Sequence, residues 1–177
     1  YESGELEPFF TQYKKPKKNH VYFITVDTSK GGGGDYQVAT VFDITKYPFE
    51  VVEVFRSNTT GDTEVPEIYF DLGTKWNNAY ILVETNKSDK IAYSLWSEYE
   101  YEYLLSVVKD QDGRWILRTI DVGELGINTN RKIKKDGCSM ARKLAEEDGV
   151  VVNSIQLAKE MRTFIYKNGS YEAEETY

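Results

Sequence analysis

This sequence contains one cysteine, Cys138, and one histidine, His20, among its 177 residues. A single thiol cannot form an internal disulfide, and the lack of a Cys/His cluster argues against structural zinc. No apolar run approaches the roughly 20 residues that a membrane-spanning helix needs. These absences exclude disulfide-stabilised, zinc-stabilised and membrane-spanning classes. Hydrophobic residues make up 40% and aromatic residues 14% of the chain, which is typical of a folded domain.

The net charge of −7 argues against broad, non-specific binding to nucleic acid. The charge is unevenly spread, because Lys14–Lys18 and Asn130–Lys135 are basic whereas Tyr171–Tyr177 is acidic. A carboxylate-rich site that binds cations would also make a domain acidic, even one whose substrate is a polyanion. Composition therefore leaves the partner open.

The hydrophobic pattern predicts an α/β fold with a mixed sheet flanked by helices. Residues 1–20 are polar and are predicted to form a connector, followed by one domain over 21–177. Three β-branched and aromatic runs are expected to form an antiparallel meander, namely Val21–Thr28, Gln37–Ile44 and Phe49–Ser57. Helical spacing over 63–76 leads into the apolar run Ala79–Glu84, which is typical of a central parallel strand.

A second helix, a hairpin and a long helix are predicted next. The hairpin runs over Tyr103–Ile120 with Asp110 and Asp112 in its turn, and the long helix extends from about Arg131 to Glu147. A strand-like run, a short helix ending near Met161 and another strand-like run complete the pattern. The tryptophans occupy amphipathic patterns and are predicted to be core residues: Trp76, Trp96 and Trp115.

Two carboxylates end predicted strands, Asp27 and Glu84. If Ala79–Glu84 returns through the helix before it, it can lie parallel to the first strand, and both carboxylates then meet at one edge of the sheet. Such a pair is stabilised by Mg²⁺ or Mn²⁺, and two ions about 4 Å apart can clamp a phosphodiester. Taken alone, either acid could instead cap a turn or begin a helix. Asp35 could be an auxiliary ligand or a turn residue.

Four consecutive glycines, Gly31–Gly34, follow the strand that carries Asp27. They would let a phosphate backbone approach a metal site closely, although a flexible hairpin loop explains them equally well. A Walker-type phosphate loop is disfavoured, because that motif opens a helix and here a strand follows.

Four blocks in order carry a family resemblance: "ITVDTSKGGGGDYQV", "YILVETNKSDKIAYSL", "INTNRKIKKDGCSMARKLAEEDGVVVN" and "EMRTFIYKNGSYEAEETY". Together they resemble the nuclease domain of the large terminase subunit of tailed bacteriophages, most closely the T4-like group. The resemblance runs from about Val21 to Tyr177. It implies a ribonuclease-H-like fold and a metal-dependent endonuclease that cuts concatemeric double-stranded viral DNA.

The resemblance also implies a set of ligands and partners. Asp27 and Glu84 would be the catalytic metal ligands, holding two Mg²⁺ or Mn²⁺ ions. The family's third acid follows the stretch similar to Tyr171–Tyr177, so it is expected just beyond Tyr177, with Glu172, Glu174 and Glu175 as substitutes. The implied partners are double-stranded DNA, an ATPase domain of the same subunit that this sequence lacks, the portal and the small terminase subunit. The implied location is the host cytoplasm, at the procapsid portal.

Basic residues near the start of the long helix are candidates for DNA phosphate contacts: Arg131, Lys132, Lys134, Lys135 and Arg142. The alternative is an ordinary solvated helix face. Two other functions stay open at this point. One is a module that docks on DNA or the portal without cutting, and the other is a nucleotide-binding domain of the actin and sugar-kinase type.

Overall fold

One mixed sheet of eight strands organises the molecule in a computed structural model that describes residues 9–29, 35–119, 125–167 and 170–173. Its strands are β1 (Phe10–Gln12), β2 (Tyr22–Asp27), β3 (Gln37–Asp43), β4 (Phe49–Ser57), β5 (Tyr80–Val83), β6 (Leu104–Lys109), β7 (Trp115–Thr119) and β8 (Val150–Val151). The spatial order is β1-β4-β3-β2-β5-β6-β7, and β8 pairs with β4.

Four helices and a separate hairpin accompany the sheet. The helices are α1 (Val65–Lys75), α2 (Lys90–Ser97), α3 (Arg131–Glu146) and α4 (Ile155–Thr163), and the hairpin consists of β9 (Phe164–Lys167) and β10 (Ser170–Ala173). None of the helices within the described ranges is long and apolar enough to span a bilayer.

The strand pairing confirms the predicted meander and the predicted parallel strand. β2, β3 and β4 pair antiparallel in sequence order. β5 lies parallel to β2, with Val83 opposite Val26, after α1 has carried the chain back. β6 continues in parallel beside β5, and β7 returns antiparallel along β6 as the predicted hairpin.

The core lies between one face of the sheet and helices α1 and α2. In β2 the residues Tyr22, Ile24 and Val26 are buried, and α1 supplies Tyr69 and Leu72 to the same cluster. Alternate residues of a strand point to opposite faces. By this alternation Asp27, directly after Val26, follows the positions of Phe23 and Thr25 rather than those of the buried core residues.

A buried ionic contact fixes α1 on the sheet. The Glu53 side chain in β4 is 1% exposed, and its two carboxylate oxygens each lie 2.7 Å from Lys75 Nζ. The Trp76 indole also donates to Glu53 at 2.6 Å. This acid is neutralised and hydrogen-bonded, as a buried carboxylate must be to avoid a large desolvation cost.

β5 and β6 separate after two paired positions, and another segment enters between them. Gly126 bridges to Ser106 and Ile127 bridges to Glu84, both in parallel. Ile127 N donates to Val83 O at 2.8 Å, and Val107 N donates to Gly126 O at 3.1 Å. The inserted segment thus completes the backbone hydrogen bonding at the strand end that carries Glu84.

Several features differ from the sequence-based expectations. The segment predicted as a connector contributes β1, which pairs with β4. The prediction that all three tryptophans are core residues was wrong for Trp96 and Trp115, which are 41% and 43% exposed, whereas Trp76 is fully buried. Trp115 lies on β7, an edge strand whose residues are all exposed.

Gly126→Ala should destabilise the fold and displace Glu84. Gly126 has φ +65°, and a Cβ there would lie 2.1 Å from Val83 O. Backbone strain and the clash together should cost about 2–4 kcal/mol, measured by urea unfolding. The matched control is Gly137→Ala, because a Cβ at Gly137 in α3 meets nothing within 4 Å. That change should stabilise the protein by about 0.5–1 kcal/mol. Equal effects of the two substitutions would show that the inserted segment does not need a glycine.

Candidate metal site

Asp27 and Glu84 lie side by side at the carboxyl ends of two parallel strands. Asp27 follows Val26 and Glu84 follows Val83, and these two valines are paired across the parallel strands β2 and β5. Glu84 N donates to Val26 O at 2.8 Å, so the pairing of β2 with β5 extends to the acid itself. Thr28 Oγ1 donates to Glu84 O at 3.0 Å and ties the two strand ends together. The predicted adjacency of the two acids is therefore present, while their role as ligands stays a prediction.

The two carboxyl groups interact strongly. Asp27 is accessible to solvent by its surface area, but the groups crowded around its carboxyl displace much of its hydration. This burial, followed by hydrogen bonding and repulsion from Glu84, raises the pKa of Asp27 to about 6. A carboxylate pair of this kind is most stable when a proton or a cation lies between its members.

Lys87 supplies positive charge beside this pair, and the sequence analysis did not single it out. Its Nζ lies 2.7 Å from Asp35 Oδ2, and this hydrogen bond raises the pKa of Lys87 and lowers that of Asp35. The charges of Asp27 and Glu84 also act on Lys87. A lysine three residues after a strand-end acid was the available signal in the sequence, but such lysines are common in exposed loops.

The described part of the chain brings two acids together rather than three. No group of three His, Cys, Asp or Glu side chains there could hold a metal ion. Asp35, the auxiliary candidate, pairs with Lys87 instead. Glu174, Glu175 and the glycines Gly31–Gly34 lie outside the described residues. The third ligand therefore remains a prediction.

A cavity of about 650 Å³ begins at Thr85, the residue that follows Glu84. It lies between the loop after Glu84, β7 and the segment before α3, and is lined by residues 85–89, Val107, Trp115, residues 125–128, Asn130 and Ile133. Asn86 connects the loop after Glu84 to the segment before α3, because its side chain accepts a hydrogen bond from Thr129 N and donates one to Thr129 O. The volume falls in the range of ligand-binding clefts.

The candidate DNA-binding residues lie on α3. The Asn130 side chain caps this helix by accepting from Ile133 N at 3.0 Å, and Ile133 lines the cavity that begins after Glu84. The first turn of α3, with Arg131, Lys132, Lys134 and Lys135 in or just after it, thus begins at the cavity that Thr85 and Lys87 also line. Arg142 lies about three turns further along and pairs with Glu146 at 2.7 Å.

Other candidates have structural explanations. Asp110 Oδ1 accepts hydrogen bonds from the backbone of Asp112 and Arg114, which form the predicted hairpin turn.

Burial raises the pKa of the Cys138 thiol, although Lys134 acts in the opposite direction. The neutral thiol is therefore favoured, which argues against a nucleophilic cysteine.

A family profile and several solved structures match this chain, and all of them represent terminase domains. The sequence profile of the terminase RNase H-like domain matches residues 24–176. The large terminase nuclease of the thermophilic phage G20c, in its magnesium-bound structure, has a TM-score of 0.70 at 17% identity over 96% of this chain and 80% of its own. Its cobalt-bound structure gives 0.70 at 18% over 98% and 82%.

A third solved structure, the large terminase nuclease domain of Thermus phage P74-26, has a TM-score of 0.64 at 18% identity. The alignment covers 92% of this chain and 72% of that one. At these identities the three structures establish a shared fold.

Asp27→Asn should stabilise the metal-free protein at pH 8. The raised pKa means that the folded state binds a proton more readily than the unfolded state, so stability falls as the pH rises from about 4 to about 6. Asparagine removes this penalty. After allowance for solvent screening we expect a gain of about 1 kcal/mol, or about 2–4 °C in Tm, measured in EDTA. The gain should vanish near pH 4.

Asp43→Asn is the matched control with the opposite sign. Burial raises the pKa of Asp43, but hydrogen bonds from Thr45 and His20 outweigh it and lower the pKa overall. This substitution should lower Tm at pH 8. If Asp27→Asn lowers Tm as well, the Asp27 carboxylate is held by stabilising partners and the interpretation as a repulsive pair is wrong.

Proposed function

This chain belongs to the terminase RNase H-like domain family, and from that premise we propose that it is a metal-dependent endonuclease domain that cuts concatemeric double-stranded DNA during viral genome packaging. The observation that carries the proposal is the adjacency of Asp27 and Glu84 at the carboxyl ends of β2 and β5. Ligand sites of sheets with parallel strands form at this edge.

The donor set fits hard divalent cations. Both acids present oxygen ligands, which Mg²⁺ and Mn²⁺ prefer, and the repulsion between them is only partly offset by Lys87. Asp27 and Glu84 would hold the two ions, which when bound would activate a water molecule and stabilise the leaving oxygen of the phosphodiester. The related G20c nuclease has been solved with magnesium, cobalt and zinc, which supports a divalent ion here.

The residues of this chain have distinct tasks in the proposed reaction. Asp27 and Glu84 would hold the cations. The start of α3 would hold the neighbouring phosphates through Lys132, Lys134 and Lys135, since Asn130 and Ile133 at this helix start line the cavity that begins after Glu84. No covalent intermediate is needed, since water is the nucleophile.

The third metal ligand and the partners are part of the same proposal. We place the third acid just beyond Tyr177, with Glu172, Glu174 or Glu175 as the alternatives. An ATPase domain of the same subunit, the portal and the small terminase subunit are the proposed protein partners. The proposed location is the procapsid portal in the host cell.

A module that binds DNA or the portal without cutting is the second candidate. It is favoured by the finding that only two acids converge among the described residues. Membership of the terminase family argues against the third candidate, a nucleotide-binding domain of the actin and sugar-kinase type.

Plasmid cleavage tests the proposed function. Supercoiled plasmid is incubated with Mg²⁺ or Mn²⁺ and either this chain or a form extended past Tyr177. We expect the extended form to nick and linearise the plasmid. Asp27→Asn and Glu84→Gln should each reduce the rate by at least about a hundredfold, because each removes a charged metal ligand. Cleavage by the chain as given would place the third ligand at a local glutamate.

Asp110→Asn in the extended form is the matched control. It also removes one carboxylate charge, but in the turn between β6 and β7, where the asparagine oxygen can accept the same hydrogen bonds from Asp112 N and Arg114 N. This variant should cut at the normal rate. If no form cuts with either metal while plasmid binding persists, the non-cleaving module replaces the endonuclease.

A further inference from the structure

The β9–β10 hairpin presents three aromatic rings beside two lysines of α3. Lys134 Nζ lies 5.7 Å from the ring centroid of Phe164, and Lys135 Nζ lies 5.9 Å from that of Tyr166. Tyr171 stands next to both aromatic residues, and its hydroxyl lies 3.4 Å from Ser139 Oγ. We call these five residues of α3 and the hairpin, Lys134, Lys135, Phe164, Tyr166 and Tyr171, the aromatic–lysine surface.

Two of the three rings of this surface are exposed to solvent, Phe164 at 40% and Tyr166 at 53%, whereas Tyr171 is half-buried. The Phe164 and Tyr171 rings are nearly parallel, at 5° and 6.2 Å between centroids, and the Tyr166 and Tyr171 centroids lie 5.1 Å apart. Clustered exposed rings of this kind mark interaction sites more often than ordinary surface.

The charge around the rings indicates a polyanionic partner. Within Arg131–Glu146 there are six basic and two acidic residues, in a chain whose net charge is −7. At the C-terminal end of α3 the basic side chains form ion pairs with acids four residues later, Arg142 with Glu146 and Lys143 with Glu147. In the described residues, Lys134 and Lys135 form no ion pair of this kind. Among the described residues, these two lysines beside the rings therefore carry positive charge that is not part of an ion pair.

The aromatic–lysine surface begins one residue after Ile133 of α3, which lines the same cavity as Lys87. Because an α-helix turns by about 100° per residue, Lys134 and Lys135 point away from Ile133 and towards the rings of Phe164 and Tyr166. Proteins often bind single-stranded nucleic acid with aromatic rings that alternate with basic side chains. Each unpaired base has a face that can stack on such a ring, and the basic side chains contact the phosphates.

We propose that the aromatic–lysine surface binds single-stranded DNA, with unpaired bases stacked on Phe164 and Tyr166 and the flanking phosphates held by Lys134 and Lys135. Duplex DNA keeps its base faces internal, so it engages the lysines but not the rings. Stacking is tolerant of sequence, and the surface therefore discriminates by strandedness. This inference deepens the proposed function by naming the form of DNA held beside that site, but its binding test requires no cleavage.

Binding is measured in EDTA by fluorescence anisotropy, with a single-stranded 20-mer and the corresponding duplex. Tyr166→Ala should weaken single-strand binding about tenfold and duplex binding less than twofold. Tyr166→Trp should restore the single-strand affinity. A 2-aminopurine in the single strand should be quenched by the wild type and by Tyr166→Trp, but not by Tyr166→Ala.

The control is an aromatic pair of similar exposure on α2. Tyr93 is 53% and Trp96 is 41% exposed, and their centroids lie 5.9 Å apart. In the described part of the chain no cationic side chain lies over either ring. Tyr93→Ala should leave both affinities unchanged. Lys134→Gln and Lys135→Gln should weaken both DNA forms and each lower the slope of log affinity against log salt by about one.

Equal losses of single-strand and duplex binding in Tyr166→Ala would overturn the proposal, as would unquenched 2-aminopurine. Competition by heparin or polyglutamate as effective as that by the 20-mer would also overturn it, since neither polyanion has bases. Plasmid cleavage separates this inference from the proposed function. If the protein does not cut plasmid but still prefers single-stranded DNA, only the proposed endonuclease function is refuted. If it cuts plasmid but binds both forms of DNA equally, only the proposed role of the aromatic–lysine surface is refuted.

Discussion

The pairing of β2 with β5 forces two negative charges together, and the rest of the site depends on this constraint. Val26 and Val83 are opposite each other in parallel strands, so the next residues, Asp27 and Glu84, cannot separate without breaking the sheet. The same fold can neutralise an acid fully, as Lys75 and Trp76 do for Glu53. At the strand ends Lys87 offsets the charge only partly, and its shortest contact is with Asp35. A fold that keeps this repulsion at the carboxyl ends of its parallel strands is consistent with the proposed binding of cations there.

The separation of β5 from β6 links the acids to the rest of the surface. Once these strands diverge, Gly126 and Ile127 take over their hydrogen bonds and direct the chain to Asn130, where α3 begins. One passage of backbone therefore supports Glu84, forms a wall of the cavity and sets the starting point of the basic helix. Because the glycine has a left-handed conformation against Val83 O, this arrangement leaves little freedom for adjustment.

Sequence alone could predict what depends on periodicity and chain order. The meander, the parallel strand and the adjacency of Asp27 and Glu84 all follow from alternation and from the helix between β4 and β5. The insertion at Gly126 could not be predicted, because two isolated bridges leave no pattern in a sequence. Trp115 was wrongly predicted to be buried, since an edge strand has the same composition as a central one. Lys87 was missed because its partners are distant in sequence.

Net charge was the least informative feature of the sequence, because it sums the acidic strand ends at Asp27 and Glu84 with the basic residues of α3. The acid pair repels a phosphate backbone until cations neutralise it, since both carboxylates and DNA are negative. In the proposed function, the lysines of α3 would attract the same backbone without any metal. They follow Asn130 and Ile133, which line the cavity that begins after Glu84. On that proposal, acidity at the strand ends and basicity on α3 have complementary roles, and a net negative charge is compatible with a DNA substrate.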